Sequence, residues 1–297
     1  MGGTMASEPI IYCDGDYVPE SRARLSPFDL GVQFGDGVYE VVSAWKGLVF
    51  RLDDHVARLV DTLHAARIDT GLDCAGWSAV VRETAKRNGL ADAAVKIIVT
   101  RGLLQPGNPD PRAARPSVRA FATPYAHLGT AAQRESGIRL QIGHQRGMAP
   151  DTLDPRYKHI SRLQYQLAKI EALDSGYDDV VWLSAQGFVE EAPRSNVFHV
   201  KQGILRTPAL GVLHGITRMT FFELADEIGI PVEEGVVTAF DLFAADEVFT
   251  CSTSGAALGV REVAGRPIRG GAPGPVTKWL NELYWRKREA GWHGTPL

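Results

Sequence analysis

The chain is poor in cysteine and has no cysteine pair. Cys13, Cys74 and Cys251 lie far apart with no CxxC spacing. They read as buried thiols in a reducing compartment, not as a disulfide framework or thiolate metal ligands. No uncharged run approaches membrane-spanning length. No long basic run is present and the net charge is −3, so nucleic acid is not an expected partner. The opening MGGTMASEPI lacks the basic and apolar regions of a signal peptide, and Ala6 stands where a myristoylation signal needs Ser or Thr. No internal repeat or low-complexity segment occurs. These absences leave a cytoplasmic enzyme or binding protein, with no membrane and no metal. What is present is 297 residues, 44% of them apolar and 23% charged, enough for two domains with real cores.

Residues 9–19 read as a β-hairpin around Asp14-Gly15, and Ser26 to Asp29 as a turn. Val38–Trp45 is a strand that Lys46-Gly47 turns into Leu48–Arg51. Asp53 is a candidate N-cap for a helix whose apolar positions are Leu52, Val56, Leu59, Leu63 and Ala66. A second helix is expected over Trp77–Asn88, ending at Gly89. Val95–Thr100 (VKIIVT) is an interior strand. Leu103–Pro116 reads as a long, basic, proline-rich loop, a kind that is more often functional than idle. Val118–Thr123 resumes a strand.

The second half mixes elements too. Ile138–His144 alternates as a half-buried strand does. Ser161 can cap a helix to about Asp174 with Leu163, Leu167, Ile170 and Leu173 as its apolar face. Asp179–Leu183 is a buried strand. Residues 197–207 form a hairpin about Lys201 to Gly203. A helix starts at Gly215 and ends near Gly229, Glu247–Cys251 is a strand, and Pro275–Ala290 is a last helix. The order is not a regular βαβ alternation, so the expected class is α+β. The expected division is a small N-terminal α+β domain (1–125), a linker (126–135) and a larger C-terminal α/β-barrel-like domain (136–297).

One stretch, Tyr157 to Asn196, holds a lysine, Lys158, ahead of a helix, then a strand, then Glu190 and Glu191 before a turn. A lysine among apolar groups can serve as an amine nucleophile. A glutamate facing a pyridine nitrogen can keep it protonated. Pyridoxal 5′-phosphate needs both. Its phosphate could be met by the helix start at Ile216 and Thr217, by Thr253 and Ser254 after a strand, and by Arg51. Each residue also has a plain reading. Lys158 could be a surface lysine, Thr217 an N-cap, Ser252–Gly255 a tight turn and Arg51 a surface arginine. In an alternating strand one of the two glutamates points inward.

The order of motifs then weighs against the plain readings. FGDGVYEV at Phe34–Val41, FRLDDHVARL at Phe50–Leu59, VTRG at Val99–Gly102, Lys158, a glutamate five residues before Asn-Val-Phe, GITR at Gly215–Arg218 and DEVFTCST at Asp246–Thr253 resemble the class IV aminotransferases. These are the fold-type IV pyridoxal-phosphate enzymes, and the resemblance runs from about Tyr12 to about Tyr284. It implies the two-domain fold of a D-amino-acid aminotransferase and a homodimer. It implies Lys158 as the lysine that binds the cofactor, Glu191 at the pyridine nitrogen, and Arg51, Ile216, Thr217 and Thr253 at the phosphate, with Ser254 beside them. It implies a substrate pocket drawing on Phe34, Tyr39, Val41 and Arg101, with the loop arginines Arg112 and Arg115 able to reach a carboxylate or to stay solvated. The chain departs from the family at Ala192-Pro193-Arg194, where Gly commonly follows the glutamate, and at Leu163, a tyrosine in branched-chain enzymes.

The pattern VYEVVSAWKGLVFRLDDH is most similar to that of (R)-selective amine transaminases. Leu103 stands where D-amino-acid transaminases place a histidine, and Ser43 where branched-chain enzymes place an arginine. The expected reaction moves an amino group from an (R)-amine or D-amino acid to a 2-keto acid in a ping-pong sequence. The alternatives are a branched-chain amino-acid aminotransferase, a lyase of the aminodeoxychorismate type that releases pyruvate without an acceptor, and a cofactor-binding protein without turnover.

Overall fold

The computed structural model describes residues 8–297; the opening Met1 to Ser7, read above for targeting signals, lies outside them. The chain divides into two compact units. The first comprises the residues up to Tyr125 with Lys158–Ser161 and Gly291–Leu297, and the second Ala126–Tyr157 with Arg162–Ala290.

The first unit contains β1 (Ile10–Cys13), β2 (Asp16–Pro19), α1 (Leu30–Phe34), β3 (Gly37–Trp45), β4 (Leu48–Phe50), α2 (Leu52–Ala66), α3 (Cys74–Arg87), β5 (Ala93–Leu103) and β6 (Arg115–Pro124). The second contains α4 (Ala131–Ser136), β7 (Ile138–Arg146), α5 (Pro150–Leu153), α6 (Leu163–Asp174), β8 (Asp179–Leu183), β9 (Asn196–Lys201), β10 (Ile204–Pro208), α7 (Ile216–Glu227), β11 (Val232–Gly235), α8 (Ala239–Ala244), β12 (Glu247–Ser252), β13 (Ala256–Val263), β14 (Arg266–Pro267) and α9 (Pro275–Glu289). The chain then returns to the first unit as β15 (Gly294–Pro296).

In the first unit a seven-stranded sheet runs β15-β4-β3-β5-β6-β1-β2. Alternation along β5 buries Val95, Ile97 and Val99 against Leu52, Leu59 and Trp77 of the two helices, as a one-sided sheet requires. In the second unit an eight-stranded sheet runs β11-β10-β9-β12-β13-β7-β8, with β14 paired to β13. Isolated bridges Leu183–Val189 and Phe188–Thr238 carry pairing from β8 to the chain just beyond β11, which is how a sheet begins to close on itself.

Several local expectations are corrected. The cap of α2 is Arg51, in the left-handed region at φ 49°, and Asp53 lies inside the first turn. Ser161 does not cap α6; its hydroxyl donates to the Gly35 carbonyl at 2.9 Å, and the N-cap is Arg162 without a side-chain bond. The expected apolar face of α6 is exposed: Leu163 at 74%, Leu167 at 46%, Ile170 and Leu173 at 53%. The buried stripe is Tyr165, Ala168 and Ala172, packed on Val180 and Trp182. Small residues let the helix come close to β8, and Tyr165 meets Trp182 edge-on at 4.5 Å. Where a linker was expected, Thr130 closes a capping box on α4. The long loop is shorter than expected, because β5 runs to Leu103 and β6 starts at Arg115.

Among the described residues no helix is long and apolar enough to cross a membrane, and no cluster of His, Cys, Asp and Glu could hold a metal ion.

Candidate active site

In the first unit the site grows from β3. Period-two alternation sends Tyr39 and Val41 to one face and Glu40 to the other. The segment Lys158–Ser161 is pinned along the start of this strand. Tyr39 N–H donates to the Lys158 carbonyl at 3.0 Å, and Ile160 N–H donates to the Gly37 carbonyl at 3.0 Å. Gly37 is required there, since a Cβ would meet the Val99 carbonyl at 2.5 Å and Ile160 Cδ1 at 2.9 Å. Lys158 itself sits at φ 47°, a conformation uncommon for a residue with a Cβ and one that concentrates at functional positions. Its Nζ lies 4.8 Å from the Tyr39 ring centroid, within cation–π range.

A second lysine shares this face. In the antiparallel register Lys96 of β5 stands opposite Val41, and its Nζ is 5.0 Å from the Tyr39 centroid. Sequence reasoning missed it. The available signal was a lone charge inside the apolar run VKIIVT.

The opposite face holds a buried ion cluster. Glu40 accepts from Arg58 Nε at 2.9 Å and Arg58 Nη2 at 2.7 Å, from its neighbour Val41 N–H at 2.9 Å, and pairs with His55 Nδ1 at 3.0 Å. Burial works against ionisation of Glu40, but Arg58 and the His55 hydrogen bond outweigh it and hold the carboxyl below its usual range. Burial likewise pushes the His55 imidazole down, against the pull of Glu40.

Arg51 is buried. It donates to Asp54 at 3.0 Å, its backbone N–H donates to the His293 carbonyl at 2.9 Å, and its guanidinium lies 5.1 Å from the Trp292 ring centroid. The other expected pocket residues of this unit are placed differently. Phe34 ends α1 and is 73% exposed. Arg101 is fastened to Asp36 at 2.6 Å and to the carbonyls of Arg67 and Ala66 at 3.2 and 3.1 Å, where a cation suits the C-terminus of α2. Arg112 is exposed and forks onto Asp110. Arg115, also exposed, opens β6 opposite Leu103.

The second unit carries the other expected residues. Glu190 and Glu191 are both buried, contrary to an alternating strand, because residues 188–192 fold back along β8 through bonds from Glu190 N–H to the Trp182 carbonyl and from Trp182 N–H to the Glu191 carbonyl. Glu191 Oε2 accepts from Leu213 N–H at 2.9 Å and Asn196 Nδ2 at 3.2 Å, and Asn196 Nδ2 also donates to the Leu213 carbonyl at 2.8 Å. These bonds fix the carboxylate beside the turn that opens α7. That helix starts at Gly215 with no side-chain cap, so its first N–H groups keep their capacity for an acceptor. Ile216 and Thr217 are buried, and Thr217 lies inside the first turn, not at the cap. A Cβ on Gly215 would collide with Asn196 Oδ1. Thr253 and Ser254 sit half-buried in the turn between β12 and β13, which Gly255 closes at φ 123°. Leu128 N–H donates to the Ser254 carbonyl.

Comparisons with known proteins bear on this arrangement. The family model described as amino-transferase class IV matches residues 37–263. A protein of Methanocaldococcus jannaschii, provisionally named a branched-chain-amino-acid aminotransferase, is 38% identical over 92% of this chain and 94% of its own. The D-alanine aminotransferase of Bacillus licheniformis is 31% identical over 89% of this chain and 92% of its own. The crystal structure of a T.th. branched-chain amino acid aminotransferase with pyridoxamine 5′-phosphate superposes with a TM-score of 0.90 at 26% identity, covering 98% of this chain and 99% of that one.

Proposed function

The chain belongs to the class IV aminotransferases, enzymes that depend on pyridoxal 5′-phosphate, and from this premise we propose that it moves an amino group from a D-amino acid or (R)-amine to a 2-keto acid, with Lys158 and Glu191 as its central residues. The residues present fit the cofactor. A buried carboxylate, Glu191, is held by two donors and would keep the ring nitrogen protonated. The uncapped start of α7, the turn at Thr253 and Ser254, and buried Arg51 would meet the phosphate. The cofactor supplies an electron-accepting ring when bound.

The chain's own residues do the rest. Lys158 Nζ carries the proton taken from the donor carbon. Tyr39 orients that amine through its ring face. Lys96, on the same face, meets the donor or acceptor carboxylate. Lys96 takes the carboxylate role expected of the loop arginines Arg112 and Arg115, of which Arg112 is already bound to Asp110.

The donor reading rests on Ser43, which follows Tyr39 and Val41 along β3 where branched-chain enzymes carry an arginine. The second reading, a branched-chain amino-acid aminotransferase, is favoured by the 38% identical relative. Half-reactions with D-alanine, (R)-1-phenylethylamine, L-leucine and L-valine separate the two. Faster conversion of the bound cofactor by the first pair supports the D or (R) reading, and faster conversion by the second pair overturns it. A homodimer in the cytoplasm accompanies this reading, supported by the family and by three free cysteines.

Two variants follow. Lys96→Met should lower kcat/KM for amino-acid donors by roughly 10–100-fold, the loss of one hydrogen bond between charged groups, while the visible absorbance of the bound cofactor stays intact. Gly215→Ala should raise the cofactor dissociation constant by about tenfold or more, because the new methyl displaces Asn196 and with it Glu191. Equilibrium titration of the apoprotein with pyridoxal phosphate checks this.

A further inference from the structure

Two adjacent acids of the second unit are treated oppositely by their surroundings. Glu191 receives two N–H donors. Glu190 is 3% exposed, and its carboxyl has no hydrogen-bond partner among the described residues; only its backbone N–H bonds, to the Trp182 carbonyl. Its carboxyl is lodged between two glycines. A Cβ on Gly147 would fall on its Oε2, and a Cβ on Gly211, which sits at φ 69°, would fall on its Oε1. Gly211 belongs to the segment 209–215, the stretch that also delivers Leu213 N–H to Glu191 and Gly215 to the start of α7. One wall of that segment is therefore the Glu190 carboxyl.

Two neighbouring carboxylates on largely buried residues do not both ionise cheaply, and the one with donors takes the charge. We propose that Glu190 is a positioning residue kept as a neutral carboxylic acid, and that its ionisation loosens the segment 209–215 and so sets the alkaline limit of cofactor retention. The inference rests on the functional reading above for its cofactor arm alone. The charged and titratable groups around it agree. Burial and the repulsion of Glu191 together push the Glu190 carboxyl up to about 7. Arg146, next to Gly147, gives its guanidinium to the Gly143 and His144 carbonyls. His214 lies on the segment itself, and burial pushes it down toward its neutral form. Trp182 and Leu183 on β8 carry no charge.

The sign is distinctive. A carboxyl raised in the folded state contributes stability that is full below the usual carboxylate value and is lost as pH rises through about 7. Buried histidines pushed downward act in the reverse sense. The test is urea denaturation of the apoprotein from pH 5.5 to 8.5, for wild type and Glu190→Gln, with pyridoxal phosphate titrations at pH 6 and 8.5. The wild type should lose stability relative to the variant between pH 5.5 and about 7 and run parallel to it above, and its cofactor dissociation constant should rise about tenfold or more between the two pH values, as one unit of ionisation allows. Glu190→Gln should lack this decline, keeping only the rise that the histidines give up to their usual value, and should bind the cofactor alike at both pH values. A variant whose stability follows the wild-type slope between pH 5.5 and 7 overturns the proposal, because the histidines are common to both proteins and cancel in the difference. A folded wild type that binds no pyridoxal phosphate at either pH would sink the functional reading, and the apoprotein curves would still decide the role of Glu190.

Discussion

Lys158→Ala is expected to abolish turnover, by about 10⁴-fold or more, together with the visible absorbance of the covalently held cofactor. The magnitude follows from the two jobs proposed for one Nζ: holding the cofactor and moving the donor proton. Removing it leaves no other amine pinned along β3, where the Lys158 carbonyl is bonded to Tyr39 N–H and the next turn to Gly37. Lys96 reaches the same ring, but it projects from the middle of β5 and is held there by the strand register. The variant should fold, because a methyl replaces a chain that packs on one ring face. Far-ultraviolet circular dichroism and a single-turnover assay with added amine check both halves of the statement. Turnover within tenfold of wild type would mean that the lysine has been misassigned.

Arg58→Ala is expected to cost about 3–5 kcal/mol of folding free energy, the range for stripping a buried carboxylate of its partner. Glu40 is 1% exposed and takes both of its Arg58 bonds under 3 Å. His55 does not compensate, since burial drives it toward the neutral form. The pH dependence has a definite sign. Glu40 is held below its usual 4.5, so its contribution is present above that value and lost as pH falls through it. Wild type should lose stability on acidification below about pH 4.5, and Arg58→Ala should lose most of that slope. Urea titrations at pH 7 and pH 4 measure it. Adding Glu40→Gln to the variant should recover part of the loss, because no bare charge is then buried.

The family was legible because its motifs keep their order and spacing along the chain, and the class IV family model matches residues 37–263. Lys158, Glu191 and Thr217 were reached through the family resemblance and not through spacing alone, and their roles are part of the proposal. The α6 stripe was not legible. Leu163, Leu167, Ile170 and Leu173 keep helical spacing, but Tyr165, Ala168 and Ala172 keep it too, and the two alanines let the helix approach β8 while Tyr165 packs on Trp182. Asp53 lost the cap because Arg51 adopts a left-handed backbone, which composition does not announce. Lys96 was hidden for another reason. Which face of an interior strand a charge occupies depends on its partner strand, and only the register with β3 brings Lys96 beside Tyr39. Arg101 and Arg112 were expected at the pocket because their partners Asp36 and Asp110 could not be paired with them from sequence.

Borohydride reduction of the enzyme loaded with pyridoxal phosphate, followed by peptide mass mapping, tests the assignment most directly. A single phosphopyridoxyl mass on the peptide containing Lys158, and none on the peptide containing Lys96, is the predicted result. A label on Lys96, or no label in a protein that still transfers amino groups, would contradict it.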